Sequence, residues 1–265
     1  MQNKALPVVA MGLMVFLARA AGPPATNAET AGTVERTRTA ALAYSKRMPD
    51  FICTQTIRRS YHLTLPNNWI DADVLTVKLR YSGQTEDRQL LLRNGQPVAE
   101  GEPFGGLDNI GEFGGMLEGV FDPASQAEFH WESWKTIRQR PAAVLSYRVE
   151  KAHSSYALNF DPGGYMHRQV VGYHGAIEVD LETGGVMRLV YEADAIPKDF
   201  PMQFASTAVD YGFVEVAGRQ YLLPVRSEIE TNADGFRSRN ISEFKDYRKF
   251  SADSSITFGD TVQNQ

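Results

Sequence analysis

A mainly β protein of the α+β class, built on an antiparallel sheet with an N-terminal helix and a glycine-rich helical lid, is the fold this sequence predicts. Three observations lead there. Residues 177–250 alternate apolar and polar side chains, and turn residues interrupt the alternation at regular intervals, as a meander of antiparallel strands requires. Residues 73–81 repeat the pattern, with Leu75, Val77, Leu79 and Tyr81 on one face and Thr76, Lys78 and Arg80 on the other. Between Gly101 and Gly119 the composition changes to seven glycines among apolar residues, where Ile110, Phe113, Leu117 and Val120 keep helical spacing. Each glycine inside a helix costs about 0.8–1.0 kcal/mol, so that helix depends on its neighbours.

At 265 residues and 43% hydrophobic content, the chain buries a substantial core as one domain. The domain is expected at 33–258, after a leader at 1–20 and a disordered stretch at 21–32, with a tail at 259–265. Lys4, the apolar run at 5–17 and Ala18-Arg19-Ala20 match a cleavable secretory signal, and the run is too short for a membrane span. Its removal takes two positive charges and no negative ones, which moves the net charge from −5 to −7. An acidic surface of that size argues against nucleic acid or an anionic membrane as the main partner. Cys53 is alone, so no internal disulfide framework exists, and it lies too far from the leader to carry a lipid anchor. It reads as a small buried residue of a strand.

Taken in order, residues 33–48 carry a one-sided stripe of Val34, Ala41, Leu42, Ser45 and Met48, and the helix stops at Pro49. A strand at 50–57 follows, then a loop at Pro66-Asn67-Asn68. After the strand at 73–81, Ser82-Gly83-Gln84 turns the chain into residues 87–93. Asn94-Gly95 is the strongest short hairpin signal, because both residues accept the positive φ of a type I′ turn. Pro97 marks the returning strand as short or at an edge. Gly101, Gly105-Gly106 and Gly119 flank the apolar helix as hinges, which suits either a mobile lid or a poorly ordered surface helix. Asp122-Pro123 reads as a capped restart. Strands are expected at 128–134, 142–151, 156–160 and 165–173, the last two joined by Asp161-Pro162-Gly163-Gly164. From 177 onward the turns Glu182-Thr183-Gly184-Gly185, Ala217-Gly218 and Asn232-Ala233-Asp234-Gly235 separate four or five strands. Irregular spacing of Ile241, Phe244, Tyr247 and Phe250 implies a bulge in the last.

Catalytic signatures are missing. The sequence holds no G-x-S-x-G, H-E-x-x-H, P-loop or C-x-x-C. A tight turn after Phe160 sets His153 diagonal to His174, a pairing that suits a metal only if a third ligand such as Glu150 or Glu178 joins. His130 and Glu132 share a strand face, a pairing fit for acid and base. Solvated side chains account for both pairs more simply, so no catalytic, metal or cofactor residue is assigned.

An N-terminal helix runs into a strand ending Thr54-Gln55-Thr56. Lys78-Leu79-Arg80-Tyr81 then precedes a strand and an Asn94-Gly95-Gln96 turn. Together with the stretches Asp180-Leu181-Glu182-Thr183-Gly184-Gly185-Val186-Met187-Arg188-Leu189 and Phe244-Lys245-Asp246-Tyr247-Arg248-Lys249-Phe250, this order resembles the LolA/LolB/RseB superfamily of periplasmic lipoprotein carriers and sensors. The resemblance implies a strongly curved, incompletely closed antiparallel sheet wrapped around helices, with an apolar cavity for acyl chains. It would place Leu75, Val77, Leu79, Tyr81 and Leu90 toward that cavity and Phe113 and Leu117 in its helical cover. Arg80 is the position matched to the arginine that follows the early strand in carriers. The implied partner is a lipid, lipopeptide, lipoprotein or other apolar molecule, taken up by a soluble periplasmic or secreted protein without catalysis. The alternative is an envelope sensor that recognises another polypeptide, and after it an enzyme using His130/Glu132 or His153/His174.

Overall fold

The computed structural model describes residues 23–62, 68–106, 111–161, 164 and 166–250. The expected leader and C-terminal tail, Pro66, Asn67, Ile110, Pro162 and Gly163 lie outside those residues.

Helix α1 (Asn27–Leu42) opens the described chain. It starts six residues before the stripe that announced it, so residues 27–32, expected to be disordered, are helical. The reason is a capping box: the Thr26 hydroxyl accepts from the Glu29 amide at 3.2 Å while the Glu29 carboxylate accepts from the Thr26 amide at 2.8 Å. A short α2 (Tyr44–Arg47) follows, and the chain is extended by Met48, just before Pro49.

Eleven strands form one open antiparallel sheet. They are β1 (Phe51–His62), β2 (Ile70–Ser82), β3 (Thr85–Arg93), the two-residue β4 (Gln96–Pro97), β5 (Glu128–Ile137), β6 (Arg140–Val149), β9 (Gly172–Asp180), β10 (Val186–Asp194), β11 (Met202–Val216), β12 (Arg219–Ala233) and β13 (Phe236–Lys249). The spatial order is β4-β3-β2-β1-β13-β12-β11-β10-β9-β6-β5, so β1 beside β13 joins the two ends of the chain. Among the described residues two further strands, β7 (Ala157–Phe160) and β8 (His167–Val170), pair with each other as a separate sheet. The return strand expected at 165–173 is therefore two strands in two sheets, broken at Val171.

The turns obey the local chemistry. Asn94 and Gly95 both take positive φ, at 51° and 75°. Asp246, at φ 56°, sits in the expected bulge, where Ile52 pairs with Arg248 but Thr54 with Lys245.

Alternation puts one face of every long strand inward. The sheet wraps around α1 and the helix α3 (Gly115–Phe121), whose Leu117, Val120 and Phe121 pack with Leu145, Tyr173, Ile177, Leu189 and Tyr211. Among the described residues of the glycine-rich segment, helix begins only at Gly115, because positive φ at Gly111 and Gly114 interrupts the helical spacing before it. It lies inside the sheet, not over it. Phe113 is 3% exposed and enters a cluster with Phe51, Leu79, Tyr81 and Phe244. Side-chain donors fix the backbone: Tyr211 to the Glu112 carbonyl at 3.0 Å, Tyr173 to that of Gly119 at 2.8 Å and Arg38 to that of Phe121 at 2.9 Å. One half of the concavity is thereby filled with the protein's own side chains.

Candidate ligand-binding cleft

The other half is not filled. The floor there comes from the inner face of β1, β13, β12 and the start of β11. Its registers set Arg59 opposite Asn240, Tyr61 opposite Ser238, Thr231 opposite Ser238 and Ala233 opposite both Phe236 and Met202. Two pieces of chain overhang this floor. On one side is the segment from Val98 to Gly106; on the other is the β7–β8 hairpin, held by Leu158, Val171, Phe200, Met202 and Ala205.

Between them lie two adjoining cavities of about 450 and 640 Å³. Both are lined by Gly106, Phe236 and Ser238, so they form one cleft. Phe104 and Tyr61 wall the first; Phe160, Met166 and Met202 wall the second. Exposed large hydrophobic side chains gather at the mouth. Ile70, Phe236 and Met166 are 46%, 42% and 59% exposed. Tyr61 pairs with Ile70 and stacks on Phe236 with ring centroids 5.6 Å apart. Apolar surface left in water at a concave rim is the signature of a surface built for contact. The floor is more polar than an acyl cavity needs: Ser238 and Asn240 line one part, Thr231 and Asp234 the other.

The overhanging segment is clamped. Arg59 donates to both Asp73 carboxylate oxygens at 2.6 Å, to the Phe104 carbonyl at 3.0 Å and to the Gly105 carbonyl. Arg93 donates to the same carboxylate at 2.7 Å and to the Pro103 carbonyl at 3.2 Å. The hydrogen bond from Arg59 outweighs burial and, with help from Arg93, holds the Asp73 carboxyl below its ordinary range. One carboxylate thus orients two guanidinium groups, and they fix the loop that forms one wall.

No family model and no curated protein matches this chain. Among solved structures it is similar to a LolA superfamily protein from Nitrosomonas europaea, at 10% identity over 84% of this chain and 94% of that one, with a TM-score of 0.38. A putative outer membrane lipoprotein-sorting protein domain from Vibrio parahaemolyticus gives 10%, 84%, 94% and 0.41. The Pseudomonas aeruginosa MucA/MucB complex gives 12%, 80%, 94% and 0.24. Each likeness is distant.

The residues singled out from sequence lie mostly elsewhere. Leu75, Val77 and Leu90 form a packed cluster with Ile57; Leu79, Tyr81 and Phe113 form another. Leu117 belongs to the main core and borders a smaller cavity under α1. Arg80 is on the opposite face of β2 from Leu79, paired with Asp87 at 2.7 Å. His153 sits in a single 3-10 turn, Lys151–His153, so it does not pair across a strand with His174. The tight-turn register fails because Phe160 pairs with His167. His130 and Glu132 are exposed on β5, where the Glu132 carboxylate accepts from the Ser146 hydroxyl at 2.5 Å. Among the described residues, no group of three or more His, Cys, Asp or Glu is arranged to hold a metal. No sequence motif marks the cleft residues Met166, Met202 and Phe236; the local signal is Phe236 directly after Asp234-Gly235, a large ring at the tip of a hairpin.

Proposed function

We propose that this chain is a non-catalytic binding protein that takes a lipid, lipopeptide or other amphipathic molecule in the cleft between residues 98–106 and the β7–β8 hairpin. The observation that carries the reading is the apolar rim of Ile70, Tyr61, Phe236 and Met166 around adjoining cavities of about 450 and 640 Å³. Hydrocarbon rests against Phe160, Met166, Met202 and Phe236, while hydrogen-bonding groups of the ligand meet Thr231, Ser238 and Asn240. Methionine suits such a role, since its unbranched side chain adapts to irregular partners. Export by the leader-like first twenty residues belongs to the same reading.

Titrating the purified chain with a fluorescent fatty acid and a fluorescent lipopeptide tests it. Saturable binding that Met166→Asp and Phe236→Asp each weaken at least tenfold is expected. Absence of saturable binding, or binding indifferent to both substitutions, removes the proposal.

One observation favours a second reading, in which the rim receives a polypeptide. The half of the concavity under α3 is filled, and exposed apolar side chains remain at the other end. A partner that protects Ile70 and Phe236 from hydrogen exchange nearby, without displacing a bound fatty acid, would select it.

A further inference from the structure

The cleft is not the sole cavity in the described structure. A separate one, of about 210 Å³, lies between the end of α1, α2 and the turn ends of β10, β11 and β12. Roughly 35 Å of β11 separates Phe213, at this cavity, from Met202, at the cleft. Tyr44, Met48, Leu117, Phe213 and Leu222 supply apolar walls. Phe213 is 40% exposed, the one large exposed hydrophobic side chain of the described residues away from the cleft mouth, and the Arg140 guanidinium lies 4.9 Å from its ring centroid.

Size and charge narrow the occupant. A dry apolar cavity of about 150 Å³ holds a benzene molecule, so this half-open pocket of about 210 Å³ has room for one ring with a small substituent. The polar groups of the lining belong to Arg47, Thr183, Gln220, Tyr221 and Tyr44, whose buried hydroxyl makes no hydrogen bond among the described residues. Arg47 ends α2 and makes no side-chain hydrogen bond or ion pair among the described residues, whereas most arginines of this chain are paired. An unpaired guanidinium beside aromatic walls complements a planar anion.

We propose that this cavity is a second binding site, distinct from the cleft, for a compact aromatic or alicyclic carboxylic acid. The ring lies against Tyr44, Phe213 and Leu222, and the carboxylate faces Arg47. Gly185 leaves the space: a Cβ there would come within 2.8 Å of the Leu222 side chain.

An NMR titration of the full chain with benzoate, and with benzyl alcohol as the uncharged comparison, tests the proposal. Saturable shifts are expected at Gly185, Val186 and residues 220–222. Arg47→Gln should weaken benzoate about fivefold, the upper range for an exposed ion pair, and leave benzyl alcohol unchanged. Ala40→Leu, which adds bulk from a half-exposed helical position, should weaken both ligands. High salt should weaken benzoate alone. Shifts that fail to saturate, that centre on Met166 and Phe236, or that ignore Arg47→Gln would overturn the assignment. Arg47 is exposed at a helix end, so its variant folds and decides the matter even if Ala40→Leu does not.

Discussion

Truncating Phe113 to alanine separates a wedge that holds the sheet together from a cover that merely rests on it. The ring is 3% exposed, with centroids 5.4 Å from Phe51, 5.9 Å from Tyr81 and 5.6 Å from Phe244. Those three neighbours belong to strands at opposite ends of the sequence, so the cavity left behind cannot close by a local shift. Removing a fully packed phenylalanine costs about 3–5 kcal/mol. At roughly 2–4 °C per kcal/mol for a chain of this size, the melting temperature should fall by roughly 6–20 °C. Phe113→Leu, which keeps most of the volume, should cost less than about 1.5 kcal/mol. Thermal melts followed by near- and far-ultraviolet circular dichroism read the loss and show whether both signals move together. A fall under about 2 °C for the alanine variant, the size expected of a surface substitution, would refute the reasoning.

Asp73→Asn removes the charge that orients Arg59 and Arg93, and amide protection across residues 98–106 should drop at least tenfold in hydrogen exchange. In the parent chain the Asp73 carboxyl is held low, so its contribution is complete above the unfolded value of about 3.9 and disappears as pH falls through the lower folded value. Protection factors in that loop should therefore decline below about pH 4 in the parent and stay flat in the variant; a decline in both would assign the effect to other groups. Gly175→Ala places a Cβ 1.9 Å from the Val190 carbonyl oxygen, where β9 and β10 have no room to part. It should cost at least about 1–3 kcal/mol in a urea melt, and a neutral result would mean that the strands are not so close. Cys53 is buried, and burial pushes its thiol well above the ordinary value. It should resist a thiol-reactive dye in native buffer and react in strong guanidinium; rapid native labelling would contradict its place in the core.

Much of the sheet was legible because its signals are local. Alternation in β2 and in β9 to β13, the Asn94-Gly95 turn and the bulge at Asp246 each depend on residues a few positions apart. The start of α1 was missed: residues 21–32 were expected to be disordered, although Thr26 and Glu29 have the spacing of a capping box and the helix begins at Asn27. Non-local outcomes were not legible. Periodicity shows that Leu75, Val77 and Leu79 face inward, yet not that Val98 and Phe104 pack against the first two or that Phe113 packs with the third. It also gives no sign that β7 and β8 leave the main sheet. The break rests on Val171, whose amide donates to Tyr156 at 3.1 Å rather than to a strand of the main sheet. The polar floor of Thr231, Ser238 and Asn240 was hidden for the same reason, because those residues meet only when β12 and β13 pair inside a curved sheet.

Paramagnetic broadening by a spin-labelled fatty acid bound to the isotope-labelled chain tests the central claim most directly. Amides of Gly106, Met166, residues 231–233 and residues 236–238 should lose intensity, while those of Val77, Leu79 and Leu90 keep theirs. Broadening centred on β2 and β3, or none at saturating probe, would contradict a cleft that opens between residues 98–106 and the β7–β8 hairpin.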